Sequence, residues 1–262
     1  MYTTTSADGT TIAYDREGSG PPIIMVVGAF NTRATTVPLA AALADSFTVL
    51  NYDRRGRGDS GDTPPYSVQR EIEDIAALIA EAGGSAALFG YSSGATLALK
   101  AAADGLPITK LALYDPPFVV DDSRPLLPAS FAEQLAQLIA AGRRGDAVEL
   151  YQRVAVGIPQ EVVARMRQAP FRPGLEAIAH TLVYDATVIG DLTLPPALVA
   201  SVAIPTLVID GEHSPPIMHG AAEVLAQGLA DGRRCTLAGQ SHDISSDATA
   251  PVLDKFFSSA RA

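Results

Sequence analysis

The chain has 262 residues, of which 47% are apolar and 18% are charged, so it can bury a large core and differs from disordered proteins. The 19 Lys and Arg residues stand against 29 Asp and Glu residues, and the net charge of −10 disfavours binding to nucleic acids or anionic membranes. Because the single cysteine, Cys235, allows no internal disulfide and neither a signal peptide nor a long apolar run is present, we expect a cytoplasmic protein.

The predicted strands begin with an antiparallel pair and continue as a parallel sheet. Asp8-Gly9 is a strong hairpin-turn signal between residues 3–7 and 11–15. Short apolar runs follow, most of them without polar alternation, and such runs are typical of strands buried on both faces. They are Ile23–Val27, Phe47–Tyr52, Ala86–Tyr91, Ile108–Tyr114, Ile204–Asp210 and Arg234–Leu237.

Helical patterns separate these strands. In Ser67–Ala82, apolar residues recur at helical spacing and define one stripe that faces the sheet. Ala95–Ala103 and Pro216–Leu229 show similar patterns. Alternation of strands and helices implies right-handed crossovers and a sheet covered on both faces, so the predicted fold class is α/β.

Residues 120–196 interrupt this alternation. Helical patterns occupy Phe131–Ala141, Ala147–Val156 and Glu161–Met166, and no convincing strand pattern accompanies them. We therefore predict a single domain, residues 1–262, that carries a small helical cap over about residues 120–196.

The most specific motif is Gly90-Tyr91-Ser92-Ser93-Gly94, which joins a predicted buried strand to a predicted helix. In that context Gly-x-Ser-x-Gly forms a sharp turn, in which the glycines avoid a Cβ clash and the serine hydroxyl is held clear of the sheet. Ser92 is therefore the candidate nucleophile. Ser93 is the weaker candidate because it falls at the helix start, and a Gly/Ser-rich turn without chemistry is the alternative interpretation.

A serine hydroxyl needs a base that takes its proton, and histidine performs this best near neutral pH. His180 lies in the predicted cap, His213 in a loop and His219 in a predicted helix, where each fits an ordinary surface or packing role. His242 follows the last predicted strand, so parallel topology brings it to the same sheet edge as Ser92. His242 is therefore the candidate base.

Strand order, the Ser92 turn, the predicted cap and the His242 loop together resemble the α/β-hydrolase superfamily over nearly the whole chain. The run Asp53–Gly61 adds to the resemblance, since the superfamily often carries Asp-x-x-Gly-x-Gly-x-Ser after the corresponding strand. The basic residues of this run are not followed by the Gly-Lys-[Ser/Thr] of a P-loop. We interpret it as a tight structural loop and not as a phosphate site.

The resemblance implies a carboxylate that orients the imidazole and stabilises imidazolium. The superfamily usually supplies it after the strand Ile204–Asp210, where this chain has Ser214 at the expected position. Asp115 ends the strand before the cap, a site from which some dehalogenases and lactonases of the superfamily supply their acid. Asp210 is the alternative, although its place in the strand favours pointing along the sheet. We favour Asp115.

The resemblance also implies two backbone N–H donors for an oxyanion. Ser93 supplies one at the Ser92 turn. Ala29 supplies the other, in Val27-Gly28-Ala29-Phe30, where superfamily members usually read His-Gly-x. Phe30 and Thr36 are candidates either for lining the pocket or for ordinary packing.

These residues imply a cofactor-free and metal-free serine hydrolase that cleaves a carboxylic ester or lactone through a Ser92 acyl-enzyme. An apolar predicted cap favours an apolar small-molecule substrate. Three features resemble zearalenone lactonases: the acid at Asp115, the pair Ser214-Pro215 and the run Ser92-Ser93-Gly94. The similarity is limited to these sparse motifs, and Pro116-Pro117-Phe118 departs from the pattern of that family. The alternatives are a thioester hydrolase, a C–C bond hydrolase or a perhydrolase with the same residues, and a non-catalytic small-molecule-binding member of the fold. No feature of the sequence indicates an oligomeric state.

Overall fold

A computed structural model describes residues 1–259 and contains an eight-stranded sheet. The strands are β1 (Tyr2–Thr5), β2 (Thr11–Glu17), β3 (Pro22–Val26), β4 (Thr48–Tyr52), β5 (Ala86–Tyr91), β6 (Ile108–Tyr114), β7 (Thr206–Gly211) and β8 (Gly232–Leu237). Their order across the sheet is β1-β2-β4-β3-β5-β6-β7-β8. β2 runs antiparallel to both of its neighbours, and the other strand pairs are parallel. The predicted α/β class is confirmed.

Most of the apolar runs of the sequence become interior strands of this sheet, whereas Arg234–Leu237 falls in the partly exposed edge strand β8. Every residue of β4, β5 and β7 is buried, as expected for strands that are covered on both faces. The predicted hairpin turn joins β1 to β2, and Gly9 adopts φ +85°, a conformation that glycine reaches without strain.

Helices cover both faces of the sheet. α1 (Val37–Leu43) and α11 (Ser246–Ser258) pack on one face, and α2 (Val68–Glu81), α3 (Ser93–Ala103) and α10 (Pro216–Gly228) pack on the other. The last three agree with the predicted helices to within two residues. α1 and α11 were not predicted. No helix within residues 1–259 combines the length and the apolar character that a membrane span requires.

The segment between β6 and β7 is helical, with α4 (Phe131–Ala140), α5 (Arg144–Tyr151), α6 (Gln160–Met166), α7 (Arg172–Ala177), α8 (Leu182–Ile189) and α9 (Pro196–Ala200). A π-helical turn, Gln152–Val156, continues α5. A parallel bridge between Val119 and Thr193 joins the two ends of the segment, and α4, α5, α7 and α8 contribute to a separate apolar core. Residues of the segment line one cavity together with Tyr91, the last residue of β5, and Pro117, which follows β6, so the segment lies over the carboxyl end of the sheet.

Candidate active site

Ser92 lies in a strained turn between β5 and α3. Its backbone has φ +56° and ψ −126°, a region that residues with a side chain rarely adopt. A Cβ on Gly90 would come within 2.7 Å of Ala95 Cα, and one on Gly94 within 2.2 Å of the Val26 carbonyl oxygen. Close packing of α3 against the sheet therefore requires both glycines, and the turn between them presents Ser92 at the sheet edge.

His242 lies in the loop after β8 and contacts Asp115, which follows β6. His242 Nδ1 is 2.9 Å from Asp115 Oδ2, and the two side chains are 30% and 0% exposed. The Asp115 N–H donates to the Ile209 carbonyl oxygen at 2.8 Å, which holds the residue at the end of the sheet. The Tyr114 hydroxyl donates to the Ser241 carbonyl oxygen at 2.7 Å and anchors the loop beside His242.

Ser214 is a second partner of Asp115. Its hydroxyl donates to Asp115 Oδ2 at 2.6 Å and accepts the Gly211 N–H at 3.2 Å. The sequence indicated only that Ser214 replaces the acid expected at this position. The structure shows that the serine instead binds the carboxylate that comes from the neighbouring strand.

Asp210 forms hydrogen bonds with residues other than His242. Its carboxylate accepts hydrogen bonds from Arg234 Nε and Nη2, both at 2.9 Å, and lies 2.6 Å from His219 Nδ1. Burial raises the pKa of Asp210, but the hydrogen bonds from Arg234 and His219 outweigh it and hold the pKa below its usual value. The structure thus brings Asp115 to His242 and leaves Asp210 beside α10 and β8.

The other three histidines lie away from Ser92. His219 pairs with Asp210 as described, and His213 is exposed. His180 lies 3.1 Å from Arg144 Nη2, and its pKa is lowered by burial. Among the four histidines, His242 is the one that lines the cavity containing Ser92.

That cavity has a volume of about 440 Å³ and lies between the sheet edge and the helical segment. Ser92, His242 and Asp243 line it together with a largely apolar wall. Among the described lining residues none is Lys or Arg. The apolar contributors include Phe30, Ile158, Met166, Phe171, Leu175 and Met218.

Gln152 is a polar lining residue that the sequence analysis did not identify. It is 2% exposed, and its Oε1 atom has no hydrogen-bond partner among the described residues. It begins the π-helical turn, and such turns are frequent at functional sites. No pattern in the sequence distinguishes it from an ordinary helical glutamine.

Both candidate oxyanion donors border the cavity. Ala29 and Ser93 line it beside Ser92, and Ser93 is the first residue of α3, where backbone N–H groups have no partner within the helix. A Cβ on Gly28 would lie 3.4 Å from Ser92 Oγ, so the loop after β3 passes directly alongside the candidate nucleophile. The Ser93 hydroxyl donates to Asp185 Oδ1 at 2.8 Å, so its proton is already engaged in a hydrogen bond.

The two residues proposed for the pocket wall have different surroundings. Phe30 lines the cavity with φ +64° and packs edge-on against Tyr151. Thr36 is fully buried, donates to Asn51 Oδ1 at 2.7 Å and is not a lining residue of this cavity.

The basic run after β4 is buried. Arg54, Arg55 and Arg57 are each no more than 1% exposed, and each is ion-paired with a buried carboxylate. Guanidinium groups engaged in this way are unavailable to a phosphate, which supports the structural interpretation of the run.

Comparison with known proteins shows which protein family this chain belongs to. The sequence model of the alpha/beta hydrolase family matches residues 23–254. The chain belongs to this family. An alpha/beta hydrolase of known structure from Sphaerobacter thermophilus is 56% identical, with a TM-score of 0.93 over 98% of this chain and 100% of that chain.

More distant hydrolases share parts of the sequence or the fold alone. N-formylmaleamate deformylase from Pseudomonas putida is 38% identical over 117 residues, which is 43% of this chain and 44% of that protein. The chain thus matches less than half the length of this relative. The enol-lactonase from Burkholderia xenovorans LB400 is 24% identical, with a TM-score of 0.72 over 98% of this chain and 100% of that chain, and shares the fold.

Proposed function

We propose that this alpha/beta hydrolase is a cofactor-free serine hydrolase that cleaves a carboxylic ester or a lactone through an acyl-enzyme on Ser92. The observation that carries the proposal is the arrangement at one cavity. Ser92 and His242 both line it, and His242 Nδ1 lies 2.9 Å from the buried carboxylate of Asp115. A strained serine, an imidazole and an orienting carboxylate are the parts that acyl transfer by a serine requires.

In the proposed acylation, His242 Nδ1–H donates to Asp115, which leaves the other ring nitrogen free to accept the Ser92 proton. Ser92 Oγ attacks the carbonyl carbon, and the carbonyl oxygen takes the electron pair of the broken π bond. The N–H groups of Ala29 and Ser93 stabilise that oxyanion. When the carbonyl re-forms, the ester C–O bond breaks and the leaving oxygen takes the proton from His242.

Deacylation reverses these roles. His242 removes a proton from water, the resulting hydroxide attacks the acyl carbon, and the bond to Ser92 breaks as the serine regains its proton. Asp115 stabilises the imidazolium in both halves of the reaction. An ester yields an acid and an alcohol, whereas a lactone yields one hydroxy acid.

The cavity supports an uncharged and largely apolar small-molecule substrate. Its wall is mostly apolar, and no Lys or Arg lies among the described lining residues to bind a carboxylate. Met166, Phe171 and Leu175 reach it from the helical segment, so residues 120–196 serve in this proposal as a cap within a single domain. The single cysteine, Cys235, supports a cytoplasmic location.

The test begins with a fluorophosphonate probe and a series of p-nitrophenyl esters of increasing acyl length, followed by neutral lactones. We expect an adduct on Ser92 by peptide mass spectrometry, ester turnover, and loss of both in Ser92→Ala. An adduct on Ser93 would overturn the assigned nucleophile. The absence of both adduct and turnover would favour the non-catalytic small-molecule-binding alternative.

A further inference from the structure

A cluster of buried, charged side chains contacts the loop that follows β3. It consists of Arg54, Arg57, Glu71 and Asp185, whose side chains are each no more than 1% exposed. Arg54 Nη1 and Arg57 Nη2 bind the two oxygens of Asp185 at 2.7 and 2.5 Å. The formal charges of the two arginines and the two carboxylates cancel within this cluster.

The cluster binds the backbone of the loop. Arg57 Nη1 donates to the carbonyl oxygens of Gly28 and Asn31 at 2.6 and 3.1 Å. Arg54 Nη1 donates to the carbonyl oxygen of Val27 at 3.2 Å. Three carbonyl groups of the loop are therefore held on the side that faces the cluster.

Peptide geometry then determines where the Ala29 N–H points. The Gly28–Ala29 peptide is trans, so the Gly28 C=O and the Ala29 N–H lie in one plane and point in opposite directions. Binding of the Gly28 oxygen by Arg57 turns the Ala29 N–H away from the cluster. Ala29 and Ser92 line the same cavity, and the loop passes alongside Ser92 Oγ as described above.

The second candidate donor is connected to the same cluster. Ser93 Oγ donates at 2.8 Å to Asp185 Oδ1, the oxygen that also accepts from Arg54. Asp185 belongs to α8, so one carboxylate of the helical segment connects the loop after β3 with the start of α3. These two backbone segments carry both candidate oxyanion donors.

We propose that Arg57 is a positioning residue, which orients the Ala29 N–H toward the oxyanion through its hydrogen bond to the Gly28 carbonyl oxygen. The proposal rests on the proposed function, since it concerns the same site. Its physical basis is preorganisation: donors that are already aimed at the developing charge need no reorientation during the reaction. The buried guanidinium holds several acceptors at once because its planar donor groups point in fixed directions.

The test compares Arg57→Lys with Arg55→Lys. Lysine retains the positive charge but offers one ammonium group in place of the guanidinium fork. Arg55 provides a matched control because it belongs to the same run, is equally buried, and contacts Asp8, Asp74 and the Arg70 carbonyl oxygen but not the loop after β3. Both variants are assayed with p-nitrophenyl butyrate, and an inhibitory trifluoromethyl ketone reports binding of an oxyanion adduct.

For Arg57→Lys we expect kcat to fall about 10- to 100-fold while KM changes by less than about threefold. Binding of the trifluoromethyl ketone should weaken by about the same factor, because its hemiketal carries the oxyanion. Arg55→Lys should lose thermal stability but keep both constants within about threefold of the parent. Equal effects of the two substitutions on kcat and on ketone binding would refute the proposal.

The outcome for the proposed function is separate. If the unmodified protein hydrolyses the ester and Ser92→Ala does not, the proposed function stands whatever Arg57→Lys does. Should Arg57→Lys fail to fold, the double variant Arg57→Met with Asp185→Asn replaces it, because it removes the donor to the Gly28 carbonyl oxygen together with the charge that Arg57 pairs with. We then expect kcat to fall and ketone binding to weaken by about 10- to 100-fold at a nearly unchanged KM. Unchanged kcat and ketone binding in that variant would also refute the proposal.

Discussion

Replacing Asp115 with asparagine removes the negative charge beside His242 while preserving the size of the side chain. Asp115 Oδ2 contacts His242 Nδ1 at 2.9 Å and accepts the Ser214 hydroxyl at 2.6 Å. An asparagine that turns its NH₂ group toward the ring would donate to Nδ1 and stabilise the wrong tautomer. One that turns its oxygen toward the ring would keep the tautomer but lose the charge that stabilises imidazolium.

The size of the effect follows from this geometry. Unit charges about 4 Å apart attract by about 4 kcal/mol at an effective dielectric constant of about 20, and this corresponds to roughly three factors of ten in rate. The equivalent substitution in a serine protease costs about 10⁴ in kcat, because the wrong tautomer adds to the loss of charge. We therefore expect Asp115→Asn to lower kcat about 10³- to 10⁴-fold with little change in KM.

The assay is steady-state hydrolysis of p-nitrophenyl butyrate, with the concentration of folded protein determined independently. Asp210→Asn is the matched control, since Asp210 is equally buried but bonds to Arg234 and His219. We expect it to retain kcat within about threefold while losing stability. A larger loss of kcat in Asp210→Asn than in Asp115→Asn would refute the assignment of the acid.

Three further predictions concern pH and backbone strain. Lowering the pH from 8 to 5 should reduce kcat/KM, because protonated His242 cannot accept the Ser92 proton; a flat profile would count against a histidine base. Ser92→Gly should be inactive, yet its free energy of unfolding in urea should exceed that of Ser92→Ala by about 1 kcal/mol, because glycine adopts φ +56° without strain. Equal free energies of unfolding for the two variants would contradict the inferred strain. The folded-state pKa of Asp210 lies below its usual value, so this carboxylate stabilises the fold above about pH 4 and less as the pH falls further. The difference in melting temperature between the parent and Asp210→Asn should therefore shrink from pH 6 to pH 3, and a constant difference would show that the Asp210 charge contributes nothing.

Local sequence patterns identified the strands and turns whose conformation is determined by residues close together in the sequence. The runs that became β5 and β6 were predicted with their observed bounds, because strands buried on both faces are short segments in which apolar residues predominate. The Ser92 turn was found because its two glycines are required by close backbone packing. Periodicity did not identify α8, since that helix is largely buried and lacks one distinct polar face.

The tertiary structure determines which side chains pair when they are distant in the sequence. Asp115 and Asp210 both lie at the carboxyl ends of predicted apolar strands, and their positions favoured Asp115 but left Asp210 as the alternative. The order of β6, β7 and β8 places Asp115 beside His242, 127 residues further along the chain, and the same order places Asp210 against Arg234. The tertiary structure alone likewise pairs Arg57 with Asp185, 128 residues away. Side-chain partners of this kind depend on which strands are adjacent and on how helices cover them, and periodicity and turn chemistry carry no information about either.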